Sequence, residues 1–455
     1  MKENTEVLLD IPTQQGVFRQ LVADTLDHAR AAGATDAAVE VSESQGLSVA
    51  VRQCAIETIE QTRDRSLAVT VFAGTRRGSA STSDFSPEAV RKTVDAAWHI
   101  ARYTAEDPAA GLPDADLLAT NYPDLDLHQP WAIDAREAAR LAIRAERAAL
   151  SVSPSITNTE GASVDTMEGH FVLGNSRGFL GGYPYSRHSL SVAPIAGRGS
   201  GMQRDYWYTS ARRPGDLADP VRVGRYAAER ALSRLAARPV RTGHFPVLFE
   251  APLAVGLLGA LVQAASGGAL YRKASFLVDA LGKPVFADHL DVIENPYIPG
   301  AQGSSPFDGE GVRPQARRVV GAGVLEGYFM STYTARKLGM ATTGNAGGSH
   351  NLSLRSRLTR PDDTLEAMLR KMDTGFLVTE LIGQGVNYVT GDYSRGAFGY
   401  WVQGGRIQHA VDEVTIAGNL ADMFRHIVAV GADVHGRGAK STGSVLIERM
   451  AIAGR

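Results

Sequence analysis

Apolar residues recur along this chain in two different periods, and the switches between those periods divide it into blocks of sheet and helix. Val17, Leu21, Val22, Leu26 and Ala29 fall at helical spacing and Gly33 can end the run, which predicts a helix from about Gln15 to Ala32. Ala37, Val39 and Val41, then Leu47, Val49 and Val51, then Leu67, Val69 and Val71 alternate with other residues in the period of half-buried strands. Ser86-Pro87 opens a second helix, since proline suits the first helical position, and Val90, Val94, Ala97 and Ala101 carry one apolar face to about Tyr103. Glu106 to Pro130 scatters five Pro and Gly residues among acids and reads as a connector. Asp134, with Glu137 three residues on, makes a capping-box-like start for a helix to about Leu150. Between Ile156 and Ile195, Gly161, Gly169, Asn175-Ser176-Arg177-Gly178 and Gly181-Gly182 cut the apolar stretches, predicting successive antiparallel hairpins. A helix near Arg222 to Ala237 closes this block.

Arg238-Pro239 to His244 marks a second boundary, followed by a strand from Phe245 to Phe249 and an apolar helix from Leu253 to Ala265. Beyond it the pattern is mostly β. Val319-Val320 and Val324-Leu325 flank Gly321-Ala322-Gly323, and Tyr400-Trp401-Val402 and Ile407 flank Gly404-Gly405, a dipeptide suited to positive φ in a tight hairpin. One helix interrupts, from Asp363 with Glu366 to Gly375. The reading is an α+β protein: an N-terminal sheet-and-helix domain in residues 1–110, a strand-rich middle domain in 125–238, and a large β-rich C-terminal domain with a central helix in 240–455.

Composition narrows the function. A chain of 455 residues has room for two or three domains at roughly 150 residues each, with cores that need no disulfide or structural metal. Cys54 is its one cysteine, which excludes an internal disulfide or a Cys-rich zinc module and fits a reducing compartment. Met1 to Thr13 mixes Lys2, Glu3, Glu6 and Asp10 among apolar residues, unlike a signal peptide, so the expected location is the cytoplasm. No apolar run reaches the roughly 18 residues of a membrane span. The net charge of −2 without a basic tract argues against nucleic acid.

Several residues invite a chemical reading. Asp308 and Glu310 would share one side of a strand and could pair as acid and base, but the glycines between and after them favour a turn, with the acids solvated or bonded to nearby amides. His350, after Gly347-Gly348-Ser349, reads as a surface histidine on a glycine-rich loop rather than a base for a serine. Gly436-Arg437-Gly438-Ala439-Lys440-Ser441-Thr442 lacks two glycines that a phosphate-binding loop requires, with Val434 and Ala439 in their places. Tyr206, Trp207 and Tyr208 read as core or interface aromatics.

A series of short motifs in fixed order is more specific than any of these. Arg63-Asp64-Arg65, Arg77-Gly78-Ser79-Ala80, Asn175-Ser176-Arg177-Gly178-Phe179, Ser266-Gly267-Gly268, Arg272-Lys273-Ala274-Ser275-Phe276, Ser304-Ser305-Pro306-Phe307-Asp308-Gly309-Glu310-Gly311-Val312, Thr343-Gly344-Asn345-Ala346, Gly418-Asn419-Leu420 and Gly443-Ser444-Val445-Leu446 span nearly the whole chain. Together they closely resemble the TldD/PmbA family, long called modulators of DNA gyrase. In that family's TldD branch, a His-Glu-x-x-x-His helix and a C-terminal cysteine hold zinc, and the two branches pair as one peptidase. With the register set by Arg272 and Ser275, the zinc helix corresponds to Leu258-Gly259-Ala260-Leu261-Val262-Gln263, and Lys440-Ser441-Thr442 stands before Gly443-Ser444 where the cysteine is expected. None of these residues is a strong zinc ligand or a general base.

The resemblance therefore implies the PmbA branch, also called TldE: a subunit with no catalytic residues, metal ligands or cofactor of its own. It implies a heterodimer with a TldD-type subunit that holds the zinc and cuts unfolded peptides such as leader peptides or labile antitoxins. Arg272, Ser275, Asp308, Glu310 and Asn345 are the residues expected near the partner interface or the chamber entrance, by their place in the family motifs. An extended peptide could add there as a strand at a sheet edge. Self-association in the partner's absence stays open. Two other classes remain alongside: a stand-alone peptidase with an unrecognised site, and a regulatory protein acting on gyrase or DNA.

Overall fold

The computed structural model describes residues 11–454. Most of the charged opening stretch from Met1 lies outside the described residues. The first strands are β1 (Asp36–Arg52), β2 (Ala55–Ala73) and β3 (Arg76–Thr82), and β4 (Ile156–Asn175), β5 (Leu180–Ala196), β6 (Gln203–Arg204) and β7 (Trp207–Ala211) follow the connector. All seven form one sheet in the order β3-β2-β1-β4-β5-β6, with β7 also paired to β5. Residues 36–82 and 156–211 are thus bonded through the β1–β4 ladder.

Two expectations change here. The alternating runs at Ala37 and Leu47 are one strand, because the polar residues between them stay paired: Glu43 and Gln45 sit opposite Arg65 and Arg63 on β2 and His170 and Glu168 on β4. The hairpins expected between Ile156 and Ile195 are one long hairpin, β4 to β5, turning at residues 176–179. Its strand glycines Gly169 and Gly182 admit close neighbours rather than turns. A Cβ on Gly182 would lie 2.1 Å from the Phe171 carbonyl oxygen, and one on Gly169 2.8 Å from the Tyr185 ring.

Helices α1 (Ile11–Ala31) and α2 (Pro87–Tyr103) cover one end of the sheet's inner face, and α3 (Ala135–Leu150) and α4 (Pro220–Ser233) cover the other. Their starts follow local chemistry. Ser86 accepts the N–H of Ala89, and Asp134 that of Glu137. Between the two apolar cores runs a polar band, where the Nε groups of Arg63 and Arg65 donate to the buried Glu43 carboxylate at 2.7 and 2.8 Å.

The C-terminal part holds two further sheets. One joins β8 (Gly243–Phe249) to later strands, and the other starts with β9 (Leu290–Asn295), β10 (Arg317–Gly321), β11 (Val324–Leu325) and β12 (Asn351–Ser356). After these come β13 (Gly375–Ile382), β14 (Asp392–Gln403), β15 (Arg406–Asn419), β16 (Ile427–Val430), β17 (Lys440–Ser441) and β18 (Val445–Ala453). The six-stranded sheet runs β15-β14-β13-β8-β18-β16, and the five-stranded sheet runs β11-β10-β9-β12-β17. Helix α5 (Ala251–Ala264) packs against both β13 and β17, and its buried face shares one core with residues of the two sheets. The chain is an α+β protein with a β-rich C-terminal part around a central helix.

Four more α-helices are found among the described residues: α6 (Gly267–Tyr271), α7 (Thr332–Leu338), α8 (Leu365–Met372) and α9 (Leu420–Arg425). Only α8 shows in the apolar period. The other three span five to seven residues, under two helical turns, and are set by caps such as the reciprocal Ser331–Thr334 pair. No helix among the described residues is long and apolar enough to cross a membrane.

Candidate functional site

Helix α5 organises the region where the motifs converge. Ala254, Leu257, Leu258, Leu261 and Ala264 are buried, while Gly256, Gly259 and Gln263 lie on the opposite, more open face. A Cβ on Gly256 or Gly259 would meet nothing within 4 Å. The positions in register with a zinc helix are therefore a buried leucine, a glycine bordering open space and an exposed glutamine. That donor set does not fit a catalytic zinc, which takes His, Asp, Glu or Cys side chains. Among the described residues no group of three or more such side chains is placed to hold a metal.

The motif after α5 ties its C-terminal end down. Ser266 caps α6, and Ser275 Oγ donates to the Ala264 carbonyl at 2.6 Å while accepting the Leu277 N–H. The next residue, Phe276, donates its N–H to the Tyr388 carbonyl in the loop between β13 and β14. Ser275 is buried, whereas Arg272 is exposed beside the Tyr271 ring, which in turn meets Tyr333 of α7 edge-on.

Asp308, Glu310 and Asn345 come together on adjoining loops. Asp308 is buried and accepts three backbone N–H groups, from Glu310, Val312 and Ala346. The turn expected there is present, and of its two readings Asp308 takes the bonds to nearby amides rather than solvent. Glu310 accepts the N–H of Thr332 at the start of α7, where the exposed end of a helix favours an anion. Asn345 donates to Glu294 at 2.8 Å and accepts from Arg317 at 3.1 Å and Thr343 at 2.7 Å. Glu294 is buried and also takes the N–H of His350 and the Nε of Arg317. His350, expected at the surface, is buried with Nε2 at 2.9 Å from the Gly344 carbonyl, because the glycine loop folds back over it.

Residues of three motifs far apart in sequence border one pocket of about 150 Å³ between the first sheet and these loops: Arg77, Asn175, and Gly309 with Glu310. Glu294 and Arg317, the centre of the buried network, carry no sequence signal. Their partners stand 23 to 56 residues away and meet only once β9 and β10 pair.

Burial pushes the Asp308 carboxyl up to about 6, against the pull of its backbone donors. An acid whose folded pKa lies above its unfolded one stabilises the fold below the unfolded value and loses that contribution as pH rises through the folded value. Asp308 should thus withdraw about 2 kcal/mol between pH 4 and pH 7. Asp308→Asn should flatten that part of the stability curve in urea titrations at stepped pH; an unchanged slope would refute the assignment.

Models of the PmbA/TldA metallopeptidase domain 1, central domain and C-terminal domain match residues 37–101, 128–235 and 242–454. Metalloprotease PmbA of Escherichia coli O157:H7 is 46% identical over 99% of both chains, and Metalloprotease PmbA homolog of Haemophilus influenzae is 44% identical over 99% of both. The chain belongs to the PmbA/TldD metallopeptidase family. A Bacteroides thetaiotaomicron protein described as a modulator of DNA gyrase superposes with a TM-score of 0.90 at 27% identity, covering 96% of this chain and 99% of that one. TldE from Thermococcus kodakarensis shares the fold, with a TM-score of 0.83 at 17% identity over 95% of this chain and all of that one.

Proposed function

We propose that this chain is the PmbA/TldE-type, non-catalytic subunit of a heterodimeric zinc peptidase, working in the cytoplasm with a TldD-type subunit on unfolded peptides such as leader peptides and labile antitoxins. The observation that carries this reading is the donor set of α5: in a family of metallopeptidases, positions 258, 259 and 263 hold Leu, Gly and Gln. Zinc then resides in the partner, and this chain contributes surface. On this reading Arg272, exposed beyond α6, meets the partner or the peptide, while Ser275, Asp308, Glu310 and Asn345 hold their own loops in shape.

Assembly tests this directly. Mixed with a TldD-type chain, the protein should elute and weigh as a one-to-one complex, with zinc remaining on the other polypeptide after the two are separated. Stoichiometric zinc on this chain, or no complex at micromolar concentration, would overturn the reading.

A further inference from the structure

Beside α5 lies a small cleft that the motifs do not include. Phe249, Leu253, Leu257, Val386 and Tyr388 wall it, and Arg395 of β14 stands in its lining. Arg395 projects from the same side of β14 as Tyr393 and Ala397, the side packed against α5. Its Nε is buried with no hydrogen-bond partner among the described residues. No carboxylate among the described residues forms an ion pair with it, and its guanidinium lies within reach of the Tyr393 hydroxyl. A desolvated, unpaired donor costs free energy that a folded chain ordinarily avoids.

The cleft measures about 110 Å³, the room of about four waters and well below the 300 Å³ at which drug-sized ligands start. It therefore takes one branched apolar side chain and not a long alkyl tail. A guanidinium at the wall of an apolar cleft matches a carboxylate, which it can grip through two parallel bonds. No acid lines the cleft, so the ammonium group of a free amino acid would find no counter-charge there, whereas an acylated nitrogen is neutral and needs none. The Gln384 amide, also in the lining, can bond to such an acylated backbone.

We propose that this cleft binds the C-terminal residue of a peptide, an apolar side chain lying against α5 and its terminal carboxylate on Arg395. Calling the ligand a peptide rests on the peptidase reading; the carboxylate site itself does not. The loop that forms one wall is fastened by the Phe276-to-Tyr388 hydrogen bond, so the Arg272-to-Phe276 motif holds this cleft open as well as ending α5.

Calorimetric titration of the full chain tests it with three probes: N-acetyl-leucine, N-acetyl-leucinamide and leucine. N-acetyl-leucine should bind, and the amide should bind about tenfold to a hundredfold more weakly, the worth of a charge-assisted hydrogen bond. Arg395→Gln should abolish the difference between acid and amide, and Val386→Phe should weaken both by filling the cleft. Equal binding of acid and amide, or an acid preference that survives in Arg395→Gln, would overturn the proposal; tighter binding of leucine would replace the peptide terminus with a free amino acid. If acid-selective binding holds and the mixed subunits cut no peptide, the cleft stands and the peptidase reading falls.

Discussion

Arg230→Met is expected to cost about 3–5 kcal/mol of stability, because it strips the cation from a buried cluster that joins the first sheet and its helices to α5. The Arg230 guanidinium, on α4, donates from Nη1 to both Glu250 oxygens at 2.8 and 3.1 Å and from Nη2 to the Thr379 carbonyl at 3.3 Å. Its Nε lies 3.3 Å from Asp205, and the ring of Trp207 lies under it at 5.0 Å. Glu250 is the residue that begins α5, and burial already raises its carboxyl against the pull of Arg230. Methionine fills the space but leaves Glu250 to be charged without its partner or to take up a proton.

The sign of the pH dependence follows. In Arg230→Met the folded pKa of Glu250 rises further, so the deficit is largest near pH 7.5 and shrinks as acid supplies the proton. Urea unfolding at pH 5.5 and pH 7.5 measures it, and Arg230→Met with Glu250→Gln should recover part of the loss. A deficit below about 1 kcal/mol, or one equal at both pH values, would mean the pair is solvated and structurally idle.

What could be read without coordinates divides along physical lines. Local signals held where they depend on neighbours in the chain: Ser86-Pro87 and Asp134 start helices, and the apolar run at Leu253 is a central helix whose ends fall within two residues of the expected ones. Glycine misled, because the same residue serves a turn at Gly178 and a close strand approach at Gly169 and Gly182, and only the paired strand tells which. Burial of polar groups was the other blind spot. His350 carries the composition of a surface loop and is buried because its N–H reaches Glu294 on a distant strand while its ring meets the Gly344 carbonyl; Asp308 does bond to nearby amides, as one of its two readings had it, and its burial rests on the further N–H of Ala346 from a distant loop. Arg395 and the Glu294–Arg317 pair could not be seen at all, since nothing near them in sequence marks the partner or its absence.

Peptide cleavage is expected from this chain mixed with a TldD-type subunit and not from this chain alone. Hydrolysis at neutral pH needs a nucleophile stronger than water, and bound metal supplies one by lowering the pKa of its water from 15.7 to about 7. Positions 258, 259 and 263 offer neither ligands nor a base for that chemistry. The buried titratable groups nearby are already engaged: Asp308 by three amides, Glu294 by Arg317, Asn345 and the His350 N–H, and the His350 ring by the Gly344 carbonyl. None of them is bonded to a serine, threonine or cysteine side chain it could activate, as a nucleophile–base pair requires. A quenched, unstructured peptide offered to each subunit and to the mixture, with and without a chelator, separates the cases. Cleavage confined to the mixture and abolished by the chelator is the expected result. Cleavage by this chain alone would refute it, and the chelator would then say which chemistry was missed: loss of activity points to a metal held by this chain, survival to a nucleophile of its own.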